Sequence, residues 1–208
     1  MSEETLRRYT NIPALIYLLR KKAISLLDPA SWDDSNDRYY LELYREKRRL
    51  RSILAACFTQ SAETYHHWRV FADGSSGACI KFRHRELMRA VESTNCIRAE
   101  KVQYLTLSKL RRHKLKIDEL PFLKRYAFQH ESEFRIIFES TDRKITKLDL
   151  NIPLSCIESI SINPWIHTDL FDQLKRVIWS IDGCIDIGIR RSSLIGNEQW
   201  KAYGESVS

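Results

Sequence analysis

Glu131-Ser132-Glu133-Phe134-Arg135-Ile136-Ile137-Phe138 alternates charged and apolar side chains with the period of an extended chain. As a strand it turns Glu131, Glu133 and Arg135 to one face and Phe134, Ile136 and Phe138 to the other. The apolar face belongs to a core. Two carboxylates and a guanidinium at the start of a strand suit a particular chemistry: hydrogen bonding to ribose hydroxyls, and stabilising an electron-poor sugar carbon as its leaving group departs. The same spacing also fits a solvent-facing Glu/Arg ladder, which contributes little energy.

Outward from this strand, extended and helical patterns alternate along the whole chain. Leu6 to Thr10 reads as a strand, and Asn11 caps a helix carrying Ile12, Leu15, Ile16 and Leu19, with Pro13 in its first turn. Ala23 to Leu27 is a second strand, and Ser31 to Asp37 a polar loop. Arg38 to about Arg51 reads as a helix with a basic outer face, and Ile53 to Thr59 as a strand. A helix from Ser61 follows and is stopped at Asp73-Gly74; after it come a strand at Ala78 to Phe82 and a helix around Leu87 to Val91. Ile97 to Tyr104 is extended, Lys109 to Lys116 is a basic loop, and Leu120 to Ala127 is expected to be helical. The last third gives strands at Ile145 to Leu150, Ile157 to Ile162 and Cys184 to Ile189, a helix from Leu170 to Ile181 that Gly183 terminates, and a polar tail. No repeat and no Pro/Gly/Ser linker divides the chain, so residues 1–208 are expected to form a single α+β domain.

Composition narrows the class. With 208 residues, 43% apolar and 29% charged, the chain is long enough to bury a core, and 6 Gly with 5 Pro exclude a collagenous or low-complexity sequence. The longest apolar runs, Ala14 to Leu19 and Ile53 to Phe58, fall far short of a membrane span, so no membrane partner is expected. Met1 to Arg8 lacks the apolar stretch of a secretory signal. The 5 cysteines are scattered and odd in number, which fits reduced thiols in a cytoplasmic protein and signals no metal site. A net charge of +7 permits a polyanionic partner without requiring one.

Further candidates are spread along the chain. Arg8 and Thr10 share a strand face beside a helix start, a setting that suits a phosphate or ribose. The loop Trp32 to Asp37 sets three carboxylates near an indole, as a ligand contact or as turn chemistry. Trp68 and Phe71 offer stacking surfaces, although aromatics at helical spacing are more often core, and Phe71 is assigned to the core. His66 and His67 titrate near neutrality and read first as surface or hydrogen-bonded histidines. Arg45 to Arg51 and Lys109 to Lys116 carry cations that would follow a nucleic-acid backbone in a non-catalytic binding module. A third reading is a protein-interaction module in which the Glu/Arg ladder is only structural. Gly-rich phosphate loops, His-Glu-x-x-His, Gly-x-Ser-x-Gly and Cys-x-x-Cys are all missing.

Leu6-Arg7-Arg8-Tyr9-Thr10, Trp32-Asp33-Asp34, Cys57-Phe58-Thr59, Trp68 with Gly77, Lys124 with Glu131-x-Glu133-x-Arg135, and the Ile160 to Ile178 pair together resemble the bacterial DUF2971 family. Two positions depart from its usual pattern: Asp33-Asp34-Ser35 in place of Asn-Asp-Pro, and Phe128 in place of a tryptophan. More distantly, the order Arg8, then Thr59 or Ser61, then Glu131-x-Glu133 is similar to the ADP-ribosyltransferase fold, including its DarT branch. That resemblance implies a split, mainly antiparallel sheet flanked by helices. It implies a toxin or phage-defence enzyme that takes NAD as substrate, uses no metal, and transfers ADP-ribose to a nucleic acid or protein acceptor or hydrolyses NAD. Glu133 would polarise the ribose hydroxyl and Glu131 orient the acceptor. Arg8, Thr10, Thr59, Trp68 and Arg135 would hold NAD, with Trp68 stacked on the nicotinamide and with Arg8, Trp68 and Glu133 lining one concave pocket.

Overall fold

The alternation from Glu133 to Phe138 is a strand, and both of its faces are buried. The computed structural model describes residues 5–72 and 74–206. The first elements are β1 (Thr5–Asn11), α1 (Ile12–Lys21), β2 (Ala23–Leu27), α2 (Ser35–Lys47), β3 (Ser52–Thr59) and α3 (Tyr65–Phe71). The middle of the chain holds β4 (Gly77–Arg83), α4 (His84–Glu92), β5 (Ile97–Lys101), β6 (Gln103–Leu105), α5 (Leu107–Arg112), β7 (Leu123–Arg125) and β8 (Glu133–Ser140). After these come β9 (Lys147–Asn151), β10 (Ile157–Ile162), α6 (Thr168–Trp179), β11 (Gly188–Arg191) and α7 (Glu198–Glu205).

Side-chain caps set the helix starts. Asn11 accepts from the Ala14 N–H, Asp34 from the Asn36 and Asp37 N–H groups, and Thr64 from the His67 N–H. Because Asp34 is the cap, α2 begins at Ser35, and the predicted polar loop ends three residues earlier than its sequence suggests. The helix expected from Leu120 to Ala127 is instead a 3₁₀ turn (Ile117–Phe122), then β7, then a second 3₁₀ turn (Tyr126–Glu131). Pro121 has no N–H to continue an α-helix. Thr106 caps the short helix α5, which takes in the first half of the basic segment, and within the polar tail Asn197 caps α7. Gly74 has φ +56°; Asp73, expected with it to stop α3, lies outside the described residues.

Strand order makes the architecture a single α+β domain with a split, mainly antiparallel sheet. Along one edge of β3 the full length of β8 pairs antiparallel, and β5 continues beyond β8. The other edge is shared: β1 touches β3 at Arg7 opposite Thr59, and β2 touches it at Leu27 opposite Ala55. From β1 the sheet runs on through β4 to β10 and a parallel β11, and from β2 to β9. Cys57 sits between the two branch points, where the sheet divides.

One sheet face carries Leu54, Ala56, Phe58, Phe134, Ile136 and Phe138 into the main core, closed by Leu15 and Leu19 of α1, Leu87 of α4 and Ile178 of α6. Opposite them, Ile53, Ala55 and Ile137 pack under Leu41 and Tyr44 of α2 and under Leu120 and Phe122. This second layer covers the face that bears Glu133 and Arg135, so a solvent-facing ladder is not what the strand forms. No helix among the described residues is long and apolar enough to cross a membrane.

Candidate functional site

Arg135 is the centre of a buried ionic cluster. Its side chain is fully enclosed, which demands that the guanidinium be hydrogen-bonded. Nη1 and Nη2 donate to the two Asp37 carboxylate oxygens at 2.9 and 2.8 Å, Nη1 also donates to the Pro121 carbonyl at 2.7 Å, and Nε donates to Glu133 Oε1 at 2.8 Å. The Trp32 ring lies 4.9 Å from the guanidinium carbon. Asp37 comes from the first turn of α2, the helix laid across this face of the sheet.

Lys124, from β7, closes the cluster on its other side. Its Nζ donates to Glu131 Oε2 at 2.7 Å and Glu133 Oε2 at 3.3 Å, and lies 3.7 Å from Asp37 Oδ2. The two glutamates reach one ammonium although they leave the chain differently. Glu131 ends a 3₁₀ turn, Ser132 turns the backbone at φ +42°, and Glu133 opens β8. Thr59 donates its hydroxyl to the Glu131 carbonyl, and the Glu133 N–H donates to the Tyr104 hydroxyl at 2.8 Å. Both backbones are thereby fixed.

Three carboxylates share two cations, and the imbalance separates their proton affinities. Burial pushes the Glu131 and Asp37 carboxyls above their ordinary values, more than Lys124 and Arg135 pull them down. Burial acts the same way on Glu133, but Arg135 and Lys124 outweigh it and hold that carboxyl below its ordinary value. Burial would lower the Lys124 ammonium, yet Glu133 and Glu131 keep it above its ordinary value. Neighbouring carboxyls pushed in opposite directions are the arrangement that divides acid from base roles.

A cavity of about 350 Å³ adjoins the cluster, lined on its inner side by Asp37 and Lys124 and further out by α2, β6, β7 and α5. Lys124 therefore touches both glutamates and faces the cavity.

Of the residues singled out in the sequence, the structure brings Glu131, Glu133, Arg135 and Thr59 together. Arg8 stands apart. It shares a face with Leu6, its guanidinium carbon lies 5.6 Å from the Phe58 ring centre, and Nη1 donates to the Cys57 carbonyl at 3.4 Å in the sheet's split. Thr10 is half-buried on β1 opposite Ala78. Trp68 is fully enclosed, packed edge-on against Tyr9 at 5.2 Å, with its N–H donated to Glu63, which leaves no open face for a nicotinamide ring. Arg8, Trp68 and Glu133 are not among the residues lining the cavity of about 350 Å³, and Phe71, assigned to the core, is 40% exposed. To the cluster the structure adds Asp37, the last carboxylate of the loop read as a ligand contact or as turn chemistry, Lys124, quoted with the glutamates in the family resemblance, and Tyr104, which the sequence does not single out. Asp37 reaches the cluster because it lies in the first turn of α2 and not in a loop, and Lys124 because β7 sets it seven residues ahead of Glu131.

A buried pair of carboxylates on a shared lysine, at the head of a strand beside the split of an antiparallel sheet, defines a domain built to hold charge next to a small cavity. Residues 67–136, which include Lys124, Glu131, Glu133 and Arg135, match the family model described as Protein of unknown function (DUF2971), so the resemblance read from the motifs holds over this segment. No curated protein matches the chain. Among solved structures it is similar to DarT of Thermus sp. 2.9 in complex with ADP-ribosylated ssDNA, at 11% identity and TM-score 0.47, covering 92% of this chain and 95% of that one. The same protein in complex with NAD+ gives 11% and 0.45, with 92% and 96% covered. Its carba-NAD+ complex gives 9% and 0.44, with 92% and 97% covered.

Proposed function

We propose that the chain cleaves NAD at the nicotinamide–ribose bond and passes the ADP-ribosyl group to an acceptor or to water, with Glu133 and Glu131 as the catalytic pair. The observation that carries this reading is the convergence of the two carboxyls on Lys124 with opposite shifts in proton affinity. Glu133, held as an anion by Arg135, accepts a hydrogen bond from a ribose hydroxyl and stabilises the oxocarbenium-like sugar as nicotinamide departs. Glu131, with the higher proton affinity, takes the proton of the incoming hydroxyl or water.

Lys124 stands between the cavity and both glutamates, so the donor displaces or engages its ammonium on entering. Arg135 orients Glu133 without touching the donor, and Thr59 acts through the Glu131 backbone. Arg8 braces the split in this reading, through its hydrogen bond to the Cys57 carbonyl. The acceptor is a nucleic acid or a protein, and a role as toxin or phage-defence effector follows from that activity.

The test is nicotinamide release from NAD by the purified chain. The wild-type protein is expected to release it, and Glu133→Gln, which keeps the side chain's shape and removes its charge, is expected to lose roughly 10²–10⁴-fold in rate with an unchanged circular-dichroism spectrum. Release by the variant at the wild-type rate removes Glu133 from the reaction.

A further inference from the structure

Two exposed histidines meet beside the turn that ends at Glu131, and neither lines the cavity. His66 Nε2 and His130 Nε2 are 2.8 Å apart, with ring centres at 4.3 Å and ring planes crossing at 80°. The two residues are 64 positions apart in the chain, so no spacing in the sequence announces the pair.

The backbone fixes their approach. Residues 59–61, where β3 ends, grip residues 130–132 three times: the Thr59 hydroxyl donates to the Glu131 carbonyl, the Gln60 N–H to the Ser132 carbonyl at 3.0 Å, and the Ser61 hydroxyl to the His130 carbonyl at 3.2 Å. A few residues on, Thr64 caps α3 and sets His66 in its first turn, where the imidazole rests edge-on against Phe71 with ring centres 6.4 Å apart. One hydrogen-bonded frame therefore carries both rings.

As a hydrogen bond, the pair matches one N–H with one lone pair. With both hydrogens on Nδ1, the two Nε2 lone pairs instead converge on the space between the rings, the arrangement of a chelate. Zinc–nitrogen bonds of about 2.0–2.1 Å at a tetrahedral angle set the nitrogens about 3.3–3.4 Å apart, so side-chain rotation that widens the gap by roughly half an ångström admits the ion. Burial and the neighbouring His130 ring lower the proton affinity of His66, which keeps its lone pair available at neutral pH. Imidazole selects zinc, nickel and copper over magnesium and calcium, which prefer oxygen. No group of three or more His, Cys, Asp and Glu among the described residues could hold a metal ion, so the chain supplies two ligands and water completes the shell.

We infer that His66 and His130 form a surface site for a divalent cation of the zinc class, and that the bound ion clamps α3 to the turn that delivers Glu131. His130 directly precedes Glu131 in that turn, so an ion held there restrains the backbone on which the carboxylate depends. The site is independent of NAD cleavage and stands whether or not nicotinamide is released.

Calorimetric titration of the full chain with zinc chloride tests it. Wild type is expected to take up one zinc with a Kd of about 1–100 µM, two of the four ligands of a structural zinc site contributing about half of its binding free energy. Magnesium chloride at the same concentrations is expected to give no binding heat. His66→Ala and His130→Ala, both at exposed positions, are each expected to weaken zinc binding at least about tenfold. His113→Ala, which removes a separate histidine paired with Glu119, is expected to leave it unchanged. Amide exchange with and without zinc reads the clamp: residues 129–132 are expected to slow in wild type and in neither of the two site variants. Absence of zinc binding up to millimolar concentration, magnesium binding as tight as zinc binding, undiminished zinc affinity in His66→Ala or His130→Ala, or its loss in His113→Ala each overturns the site. Zinc binding that leaves exchange in residues 129–132 unaltered overturns the clamp.

Discussion

Arg135 and Glu131 show what a buried charge asks of its neighbours. Arg135 makes four directed hydrogen bonds while fully enclosed, so truncating it leaves Asp37 and Glu133 as uncompensated buried anions. Arg135→Ala is expected to lower unfolding free energy by roughly 3–5 kcal/mol, measured as a shift of the urea midpoint. Asp37→Asn is expected to cost less, because an amide still accepts one of the two guanidinium bonds. Glu131 carries a pH signature. Its folded carboxyl binds a proton more tightly than the free side chain at 4.5, so the folded state holds more protons as pH rises above that value, and ionising the group works against folding. Stability attributable to Glu131 is therefore full below pH 4.5 and declines through the folded-state value, the reverse of Glu133, whose contribution is present above 4.5 and fades as pH falls. Glu131→Gln is expected to flatten the loss of stability between pH 4.5 and neutrality, measured by denaturant unfolding at stepped pH. An unchanged slope would assign that titration to Asp37.

Two backbone positions govern how elements deliver these groups. Ser132 has φ +42°, a conformation that a residue with a Cβ adopts at a cost, and it is the joint that lets Glu131 and Glu133 meet at Lys124. Ser132→Gly is expected to be neutral or to stabilise by up to about 1 kcal/mol, and Ser132→Val to destabilise by roughly 1–3 kcal/mol, both read from thermal midpoints. Gly77 opens β4 against the end of α3, where a Cβ would come within 2.3 Å of the Ala72 carbonyl oxygen. Gly77→Ala is expected to cost roughly 1–3 kcal/mol, since the obstacle is backbone and cannot swing aside. These joints also explain what was legible in the sequence. The period-two run at Glu133 to Phe138 and the short apolar run at Ile53 to Thr59 announce their strands because alternation and run length are local properties. The segment from Leu120 to Ala127 misleads because its apolar residues suit a helix while Pro121 breaks one.

At the scale of the whole molecule, the site depends on contacts that no local pattern encodes. Asp37 and Arg135 are 98 residues apart in the chain, and only the path of α2 over β8 joins them. A single strand therefore looks half solvated in sequence and is buried on both faces in the fold. The division of the sheet sets a comparable problem for Arg8. Cys57 falls between the points where β1 and β2 leave β3, and Arg8 supplies the N–H that its carbonyl meets in the gap. Burial lowers the proton affinity of this guanidinium, with Cys57 partly offsetting it, so the brace itself carries a desolvation cost. Arg8→Met keeps the packing against Phe58 and removes only the donor and the charge. If bracing is the whole of its role, stability falls by roughly 1–2 kcal/mol, amide exchange quickens in β1 and β2, and nicotinamide release per folded molecule stays at the wild-type level. If Arg8 instead holds the phosphate or ribose of NAD, as its place on the first strand suggests, release per folded molecule drops at least tenfold and the KM for NAD rises with it. Amide exchange and release measured on one preparation of Arg8→Met decide whether the split is scaffold or binding site.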